Sequence, residues 1–333
     1  MPVTRSNIFK GLFVSTMLLV ASFASAQGLQ SSNAWKKQRH EIRIEIGASN
    51  FLGDLGGRDK VGSNFLYDLE LSKTKFASSF NYLYYLGRKL GVRMSLNYGK
   101  VSGDDALTTE RFRNNRNLKF ESIIIEAGMS IEWHFIKEKP GNLYNVKSVT
   151  GKKLGRKSIS PGFYLTAGVS AFYFNPKAVS PSGVMTALHP LKTEGQGLEL
   201  GADPYKRINV AIPIGGGFRK SINRKMGFKI ELAHRFTFSD YIDDVSTVYY
   251  DPVALEGEVG PEAVYFANPT NGSIPTFTVG SDLYDPTQPG SQRGDPTNKD
   301  GYMFLTVGVY FKLRSSSNSA NGRNRVLRVK ASF

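Results

Sequence analysis

The sequence predicts an all-β fold, an eight-stranded antiparallel transmembrane β-barrel with long external loops, and three observations support this prediction. Beyond residue 26 the chain contains no run of the roughly 18 apolar residues that a membrane-spanning helix needs. Eight segments alternate between apolar and polar residues with the period of two that a β-strand requires. Many of the 22 Phe and 16 Tyr residues lie near the ends of these segments, as in the aromatic girdles of membrane barrels.

The first 26 residues have the pattern of a secretory signal peptide. Arg5 and Lys10 precede an apolar run over residues 11–20, and residues 24–26 read Ala-Ser-Ala, an A-x-A cleavage site. No cysteine follows this site, which excludes a lipoprotein anchor. We therefore expect residues 1–26 to be removed and residues 27–40 to form a periplasmic N-terminal segment. The alternative, an uncleaved membrane anchor, requires a longer apolar run.

The barrel is predicted to occupy residues 41–313. Its clearest strand is 122–135, in which a wholly apolar face that includes Met129 and Trp133 alternates with a face that carries Glu126 and Glu132. The same period of two recurs along the chain. The eight predicted strands are 42–49, 79–86, 92–99, 122–135, 162–174, 209–219, 228–238 and 302–313.

A soluble β-sandwich would show the same alternation, with its apolar face turned inward. Strand length favours the membrane barrel, because several segments exceed the five or six residues that are usual in soluble sheets. The distribution of aromatic residues favours it as well. We assign to the two interfacial girdles Tyr82, Tyr84, Tyr85, Tyr98, Trp133, Phe135, Tyr173, Phe236, Phe238, Tyr302 and Phe311.

The lengths of the connections predict the orientation of the barrel. Outer-membrane barrels have short periplasmic turns and long external loops. The tight connections 87–90 and 223–225, both chain termini and the longer connection 137–159 are therefore predicted to be periplasmic. The long loops 50–76, 101–119, 175–205 and 240–298 are predicted to be external.

Two segments have distinctive charge. The external loop 240–298 contains ten acidic residues and one basic residue, and we expect it to be a weakly structured excursion. Residues 314–333 form a basic periplasmic tail without acidic residues. The last eight residues of this tail alternate and could pair with the sheet edge of a partner, but we favour the alternative of a frayed basic tail.

The lumen of an eight-stranded barrel is narrow enough for its own side chains to fill. Unpaired charges in so narrow a space would be costly, so we expect residues of opposite sign to lie close together there. A pore is therefore not predicted. The inward charged residues are Arg43, Glu45, Arg93, Glu126, Glu132, Arg219, Lys229, Glu231, Arg235 and Lys312.

Composition excludes several functional classes. The net charge of +15 would ordinarily indicate a nucleic-acid partner, but export from the cytoplasm excludes one. The absence of cysteine removes thiolate metal sites and cysteine nucleophiles. His234, Ser239 and Asp240 form the nearest approach to a hydrolytic trio, but no second histidine supports it. We predict no enzymatic activity and no cofactor.

Aspartates near the external ends of strands are candidate ligands for calcium, which prefers six to eight oxygen ligands. Their spacing does not match that of an EF-hand. The alternative is that they stabilise turns through local hydrogen bonds. The candidates are Asp104, Asp105, Asp240, Asp243 and Asp244.

Positive charge concentrates on the predicted periplasmic face, where residues 137–159 contain seven basic residues and one acidic residue. We expect this face to bind a partner. The residues assigned to the contact surface are Arg88, Lys89, Lys147, Lys152, Lys153, Arg156, Arg224 and Lys225.

The final predicted strand, 302–313, ends in residues 306–313, which are similar to the Gly-x-x-aromatic-x-hydrophobic signal of outer-membrane proteins. This resemblance implies that the barrel-assembly machinery is a partner during biogenesis. Membrane lipid is the second partner that the barrel prediction implies.

The loops carry a resemblance to a known family. The segments that carry it, in order, are Gly-Asp-Leu at 53–55, Asn-Tyr-Gly at 97–99 with Ser-Gly-Asp-Asp-Ala at 102–106, Arg-Asn-Leu at 116–118 with Phe120, Phe-Asn-Pro-Lys-Ala at 174–178, Leu191 with Thr-Glu-Gly-Gln-Gly at 193–197, and 238–246. The order of these segments and the residues in them resemble those of the PorG-type outer-membrane barrels of the Bacteroidetes type IX secretion system.

This resemblance implies a barrel that associates with a periplasmic PorK-like lipoprotein and a PorN-like ring protein, and that assists protein export and gliding motility. The acidic loop after residue 246 and the tail after residue 313 depart from the family pattern. The alternative is an OmpA-like structural or adhesive barrel whose external loops bind ligands.

Overall fold

The computed structural model describes residues 38–55, 73–138, 161–223, 225–279 and 282–313. The predicted signal peptide 1–26, most of the N-terminal segment, most of the connection 137–159 and the tail 314–333 lie outside these residues. The strands are β1 (His40–Leu52), β2 (Lys75–Tyr85), β3 (Leu90–Asp104), β4 (Lys119–Ile136), β5 (Gly162–Val179), β6 (Met185–Ala187), β7 (Ile208–Ser221), β8 (Met226–Thr237), β9 (Phe277–Val279), β10 (Asp282–Tyr284) and β11 (Gly301–Leu313). The α-helices are α1 (Arg111–Arg116), α2 (Pro252–Glu258) and α3 (Pro261–Ala267).

Eight of these strands form a closed antiparallel barrel. Their order is β4-β3-β2-β1-β11-β8-β7-β5, and β5 pairs with β4 to close the sheet. Each of the eight predicted strands is present, and each is longer than the segment that the sequence predicted for it. The short strand β6 pairs antiparallel with the last three residues of β5. Strands β9 and β10 form a separate hairpin. The predicted fold class is confirmed.

The alternation of residue types decides which side chains face the lumen. In β4, Glu126 and Glu132 are buried inside the barrel, whereas Met129 and Trp133 are 55% and 51% exposed on its outer wall. The register pairs Met129 with Met94 of β3 and with Val169 of β5, so apolar residues continue around the outer wall.

The outer wall carries a broad surface of exposed apolar side chains. Examples from six strands are Ile44, Ile46, Phe80, Met94, Leu96, Val169, Ile214, Val307 and Val309. In a sandwich such residues would be covered by a second sheet, but no described part of this chain covers them. Their exposure excludes the sandwich alternative and indicates that lipid chains contact this surface.

Two of the predicted girdle residues were assigned wrongly. Tyr85 and Tyr302 are 8% and 0% exposed and point into the barrel, because they share the inward parity of Leu83 and Phe304. Trp133, Phe135, Phe236, Phe238 and Phe311 are exposed on the outer wall, as predicted.

The two ends of the barrel differ. We call the end that carries the tight turns 86–89 and 222–225 the turn end, and the opposite end the loop end. An apolar core fills the loop end inside the barrel and includes Phe51, Val101, Phe120, Phe172 and Phe174. The helices in the described residues are all too short or too polar to cross a bilayer.

Candidate functional site

The turn-end half of the lumen contains one continuous series of charged side chains that alternate in sign. Neighbouring members of the series are joined by contacts of 2.5 to 3.2 Å between nitrogen and oxygen. We call this series the lumen ladder. Its members, in order of contact, are Lys312, Glu138, Arg219, Glu41, Arg43, Glu132, Arg93, Glu231, Lys229 and Glu45.

Arg43 is an example of how the charged side chains of the ladder are paired and hydrogen-bonded. Its Nε donates to Glu41 at 2.7 Å, and its two terminal nitrogens donate to the two oxygens of Glu132 at 2.5 and 2.8 Å. All three side chains are fully buried. A paired, bidentate arrangement of this kind is needed to offset the cost of removing the charges from water.

Neutral side chains satisfy the remaining oxygens of the ladder. Tyr164 Oη donates to Glu231 at 2.6 Å, and Tyr85 Oη donates to Glu41 at 3.1 Å. Asn81 and Thr306 donate to opposite oxygens of Glu45 at 2.8 and 2.7 Å. The carboxylates at the middle of the barrel are therefore held by both charged and neutral donors.

A second ion pair lies on the loop-end side of the ladder. Arg235 Nε donates to Glu126 at 3.1 Å, and Tyr302 Oη and Asn97 Nδ2 each donate to the same carboxylate at 2.6 Å. Between this pair and Glu45 lies a polar cavity of about 10 Å³, which has room for about one water molecule. This part of the lumen does not provide a passage for solutes.

The ten residues predicted to pair in the lumen do so, and the prediction is confirmed. Glu41 and Glu138 are additional members that the prediction omitted. Glu41 shares the inward parity of Arg43 and Glu45, a signal in the sequence that would have identified it. Glu138 lies two residues beyond the end of β4, where strand periodicity gives no guidance.

The loop end is closed by a folded cap formed by the described residues of four connections: 53–55, 105–118, 180–207 and 238–300. Arg116 joins three of them. It donates to both oxygens of Asp105 at 2.7 and 3.0 Å, to the carbonyl of Asp54 at 3.0 Å and to the carbonyl of Arg293. These contacts fix the connections against one another.

Arg293 ties the fourth connection into the cap. It is only 2% exposed and donates to Glu194 at 2.8 Å, to the carbonyl of Asp244 at 2.7 Å and to the carbonyl of Ala267 at 3.1 Å. Glu194 also accepts hydrogen bonds from the backbone of Ser246 and Thr247. The sequence showed Arg293 only as the single base of an acidic loop, and nothing local indicated its partner 99 residues away.

The expectation that loop 240–298 is weakly structured was wrong. It contains helices α2 and α3, the hairpin β9-β10 and buried apolar side chains such as Leu255 and Phe266. Asp251 accepts from the backbone of Val253 at the start of α2. A buried cluster of Leu255, Ala263 and Ala267 then packs the two helices together.

Several of the segments that carry the family resemblance meet in the cap, whereas 97–99 and 174–178 lie in β3 and β5. Leu55 N donates to Asp243 at 2.9 Å, Thr193 donates to Asp244 at 2.6 Å, and Leu118 N donates to Asp105 at 3.3 Å. Asp105, Thr193, Asp243 and Asp244 are each fully buried. The motifs are therefore parts of one folded structure, although they are far apart in the sequence.

The cap buries more carboxylates than cations. Burial, together with neighbouring carboxylates, raises the pKa of Asp54 to about 7, and burial raises the pKa of Asp240 and of Asp244 to about 6. Burial and the charges of neighbouring aspartates also raise the pKa of Asp243 and of Asp300 well above the usual value. Among the described residues, the cations that face this group are Arg116, Lys299 and, beside Asp244, Arg293.

The structure separates the calcium candidates into two groups with different partners. Asp104 contacts Lys73 and Lys119, and Asp105 binds Arg116. Asp240 accepts from Ser246 at 2.6 Å, while Asp243 and Asp244 bind the groups described above. Within the described ranges, no three His, Cys, Asp or Glu side chains are arranged to hold a metal ion. These aspartates act here as acceptors that organise the cap.

The histidine considered for hydrolysis lies apart from its supposed partners. His234 is on the outer wall of β8, where its ring centroid is 4.2 Å from that of Phe236. Ser239 and Asp240 are buried in the cap.

Three of the eight basic residues assigned to a contact surface are described. Arg88 and Lys89 are exposed in the β2–β3 turn, and Lys225 is exposed in the β7–β8 turn. All three lie at the turn end. Lys147, Lys152, Lys153, Arg156 and Arg224 lie outside the described residues.

Comparison with known proteins gives similarities at two levels. A family model described as "Domain of unknown function (DUF6089)" matches residues 21–182. None of the curated proteins compared with the sequence matches it.

Among solved structures, Neisserial surface protein A is similar with a TM-score of 0.36 at 8% identity, over 82% of this chain and 97% of that one. OprG from Pseudomonas aeruginosa gives a TM-score of 0.33 at 10% identity, over 83% and 98%. A major outer membrane protein from Thermus thermophilus gives 0.33 at 11% identity, over 82% and 99%.

The assignment of the chain rests on three features of its own structure: a closed antiparallel sheet, an apolar outer wall, and a polar lumen filled by paired charges. The chain is an eight-stranded β-barrel of the outer membrane.

Proposed function

We propose that this barrel is an anchoring subunit of the type IX protein secretion and gliding apparatus. In this proposal its turn end faces the periplasm and binds a PorK-like ring lipoprotein, which is associated with a PorN-like ring protein. The observation that carries the proposal is the sealed lumen. Because paired charged side chains fill the lumen in the part of the chain that the structure describes, the surfaces at the two ends are what remain for function.

The turn end has the charge that an acidic partner would require. Arg88, Lys89 and Lys225 are exposed there. Partial desolvation, followed by the like charges of Lys312, Arg88 and Arg219, lowers the pKa of Lys137 to about 8. Because these cations lie close together, the binding of a partner that supplies carboxylates would be electrostatically favourable at this surface.

The resemblance of the loop motifs to PorG-type barrels supports the choice of apparatus. The motifs that lie in the loops are joined by buried hydrogen bonds in the cap, so they help to determine the shape of the loop end. Orientation follows from the usual arrangement of outer-membrane barrels, in which the short turns are periplasmic.

Charge reversal at the turn end tests the proposal. The variant Arg88→Glu/Lys89→Glu/Lys225→Glu should assemble normally but recover much less of the ring lipoprotein on co-purification, because three attractive contacts become repulsive. A second variant reverses Lys152, Lys153, Arg156 and Lys157 and should have the same effect.

The matched control, Arg111→Glu/Lys192→Glu/Lys206→Glu, reverses three basic residues of the loop end and should leave recovery unchanged. Equal recovery of the lipoprotein by wild type and by both turn-end variants would refute the proposal.

An OmpA-like adhesive role remains the second candidate, and one observation favours it. Leu200 and Val253 are 99% and 77% exposed on the cap, an unusual placement for large apolar side chains. Deleting the whole loop would remove Arg293 and unfold the cap, so Leu200→Ser/Val253→Ser is the sharper variant. Loss of cell-surface attachment in this variant, with secretion retained, would favour adhesion.

A further inference from the structure

Basic side chains form a band at the loop end of β2, β3, β5 and β7, and β4, which lies between β3 and β5, contributes Glu121. Lys100 of β3 and Lys177 of β5 have outward parity, and Arg207 immediately precedes β7. Lys75, at the start of β2, has the inward parity of Ala77, but its Nζ contacts the outward Glu121 of β4 at 3.0 Å. We call Lys75, Lys100, Lys177 and Arg207 the cationic band.

The cationic band lies just beyond outward aromatic residues. Arg207 donates to Tyr173 Oη and to Asn175 Oδ1, both at 3.3 Å, and its guanidinium lies 5.7 Å from the centre of the Tyr173 ring. Tyr98 is 37% exposed and is two residues before Lys100 on the same face of β3. Tyrosine at this position marks the boundary between hydrocarbon and headgroups, so the band is placed at the level of lipid headgroups.

Positive charge exceeds negative charge in the band. Glu121 accepts from Lys75 and Lys100, both at 3.0 Å, and Lys177 is its direct cross-strand neighbour. One carboxylate therefore stands among four cations. The side chains keep part of their surface free, since Lys75 and Lys100 are 36% and 40% exposed.

The opposite side of the barrel has different residues at the loop end, at the level of the cationic band. There β8 leads into Phe238, which is 56% exposed, β11 begins at Gly301, and β1 ends at Leu52. Among the described residues on that side, Lys299 lies just before β11 and contacts Asp240 at 3.7 Å, so its charge is balanced, whereas the cations of the band outnumber the carboxylate that they contact.

We propose that the cationic band binds the phosphate groups of lipids in the surrounding membrane leaflet. Lysine and arginine donate several charge-assisted hydrogen bonds to phosphate oxygens, and the band presents four such side chains at headgroup level. Glu121 holds two of the ammonium groups in place, which reduces the entropy lost on binding. This inference does not depend on the secretion proposal, because it concerns the lipid-facing wall.

Lipid retention tests the inference. The full mature chain is folded into phosphatidylcholine vesicles that contain a minor fraction of either phosphatidic acid or diacylglycerol, which differ only in the phosphate. After gentle extraction, the lipid retained by each barrel is measured by native mass spectrometry. Wild type should retain phosphatidic acid and release diacylglycerol.

The variant Lys177→Gln/Arg207→Gln removes two cations that are not needed to hold Glu121. It should retain about tenfold less phosphatidic acid, which corresponds to about 1.4 kcal/mol. Lys177→Arg/Arg207→Lys keeps both charges and should retain the lipid as wild type does. Arg88→Gln/Lys89→Gln removes the same charge at the turn end and is the matched control, also with wild-type retention.

Two results would overturn the inference. One is equal retention of phosphatidic acid by wild type and by Lys177→Gln/Arg207→Gln. The other is full displacement of the lipid by inorganic phosphate, which would show that the band selects the free ion rather than a lipid headgroup.

Discussion

The lumen and the cap both bury many charged side chains, but they balance those charges differently. In the lumen six carboxylates are matched by six cations, counting the ladder together with Glu126 and Arg235. In the cap, Asp54, Asp240, Asp243 and Asp300 share the influence of Arg116 and Lys299. The lumen is therefore built to keep one structure over a wide range of pH, whereas the stability of the cap depends on protonation.

Breaking the lumen ladder should have the largest effect. Arg43→Met leaves Glu41 and Glu132 without their shared guanidinium in a fully buried site. We expect a loss of about 3 to 5 kcal/mol in the free energy of unfolding, measured by urea denaturation of the barrel in vesicles. Lys225→Met, at an exposed position of the turn end, should change it by less than about 0.5 kcal/mol. A loss of similar size in both variants would contradict this description of the ladder.

Removing the central cation of the cap should act locally. Arg293→Met deletes hydrogen bonds to Glu194, Asp244 and Ala267. Loss of charge-assisted hydrogen bonds of this kind costs about 2 kcal/mol, so limited proteolysis of residues 238–300 should become about 30-fold faster. The barrel itself should stay folded.

The control for this variant is Arg111→Met, an exposed position of helix α1, which should not change the proteolysis rate. If Arg293→Met instead unfolded the barrel, the cap and the lumen would be one cooperative unit, and the comparison between them would be wrong.

The cap should loosen as the pH rises. Asp54, Asp240 and Asp244 have pKa values of about 7, 6 and 6 in the folded cap, above the ordinary value near 4. The folded state therefore holds protons that the unfolded state has released, and its advantage is complete below about pH 4 and lost as the pH passes through 6 to 7. Hydrogen exchange of residues 238–300, corrected for the intrinsic rate, should be about tenfold faster at pH 8 than at pH 5. A cap that becomes more protected as the pH rises would contradict this.

The smallest effect tests redundancy in the ladder. Tyr164→Phe removes one hydrogen bond to Glu231, which keeps Arg93 and Lys229. Because two cations remain, we expect a loss of only about 1 kcal/mol in unfolding free energy, by the same urea measurement. A loss as large as that of Arg43→Met would mean that the neutral hydrogen-bond donors stabilise the ladder as much as the cations do.

How far the sequence predicts each region follows from the range of the interactions involved. The period of two identifies the eight strands and assigns Arg43, Arg93 and Glu132 to the lumen, because parity along a strand is a local property. Parity also shows why Tyr85 and Tyr302 could not belong to the girdles. A position near the end of a strand is therefore not sufficient to assign an aromatic residue to a girdle.

The cap could not be predicted in the same way. Helices α2 and α3 have seven residues each, too few for a clear helical period, although Asp251-Pro252 and Gly260-Pro261 are helix-start signals. The ion pair between Glu194 and Arg293 joins residues that no local pattern relates. Ordered motifs in the loops indicated a shared structure, but not which residues would touch.

The central claim is that this outer-membrane barrel is sealed and acts through its surfaces. Conductance of the full mature chain in a planar lipid bilayer tests it most directly. The lumen ladder and the cap predict no ion current above that of the bare bilayer between pH 5 and pH 8. A steady, single-channel current from folded barrels would contradict the claim.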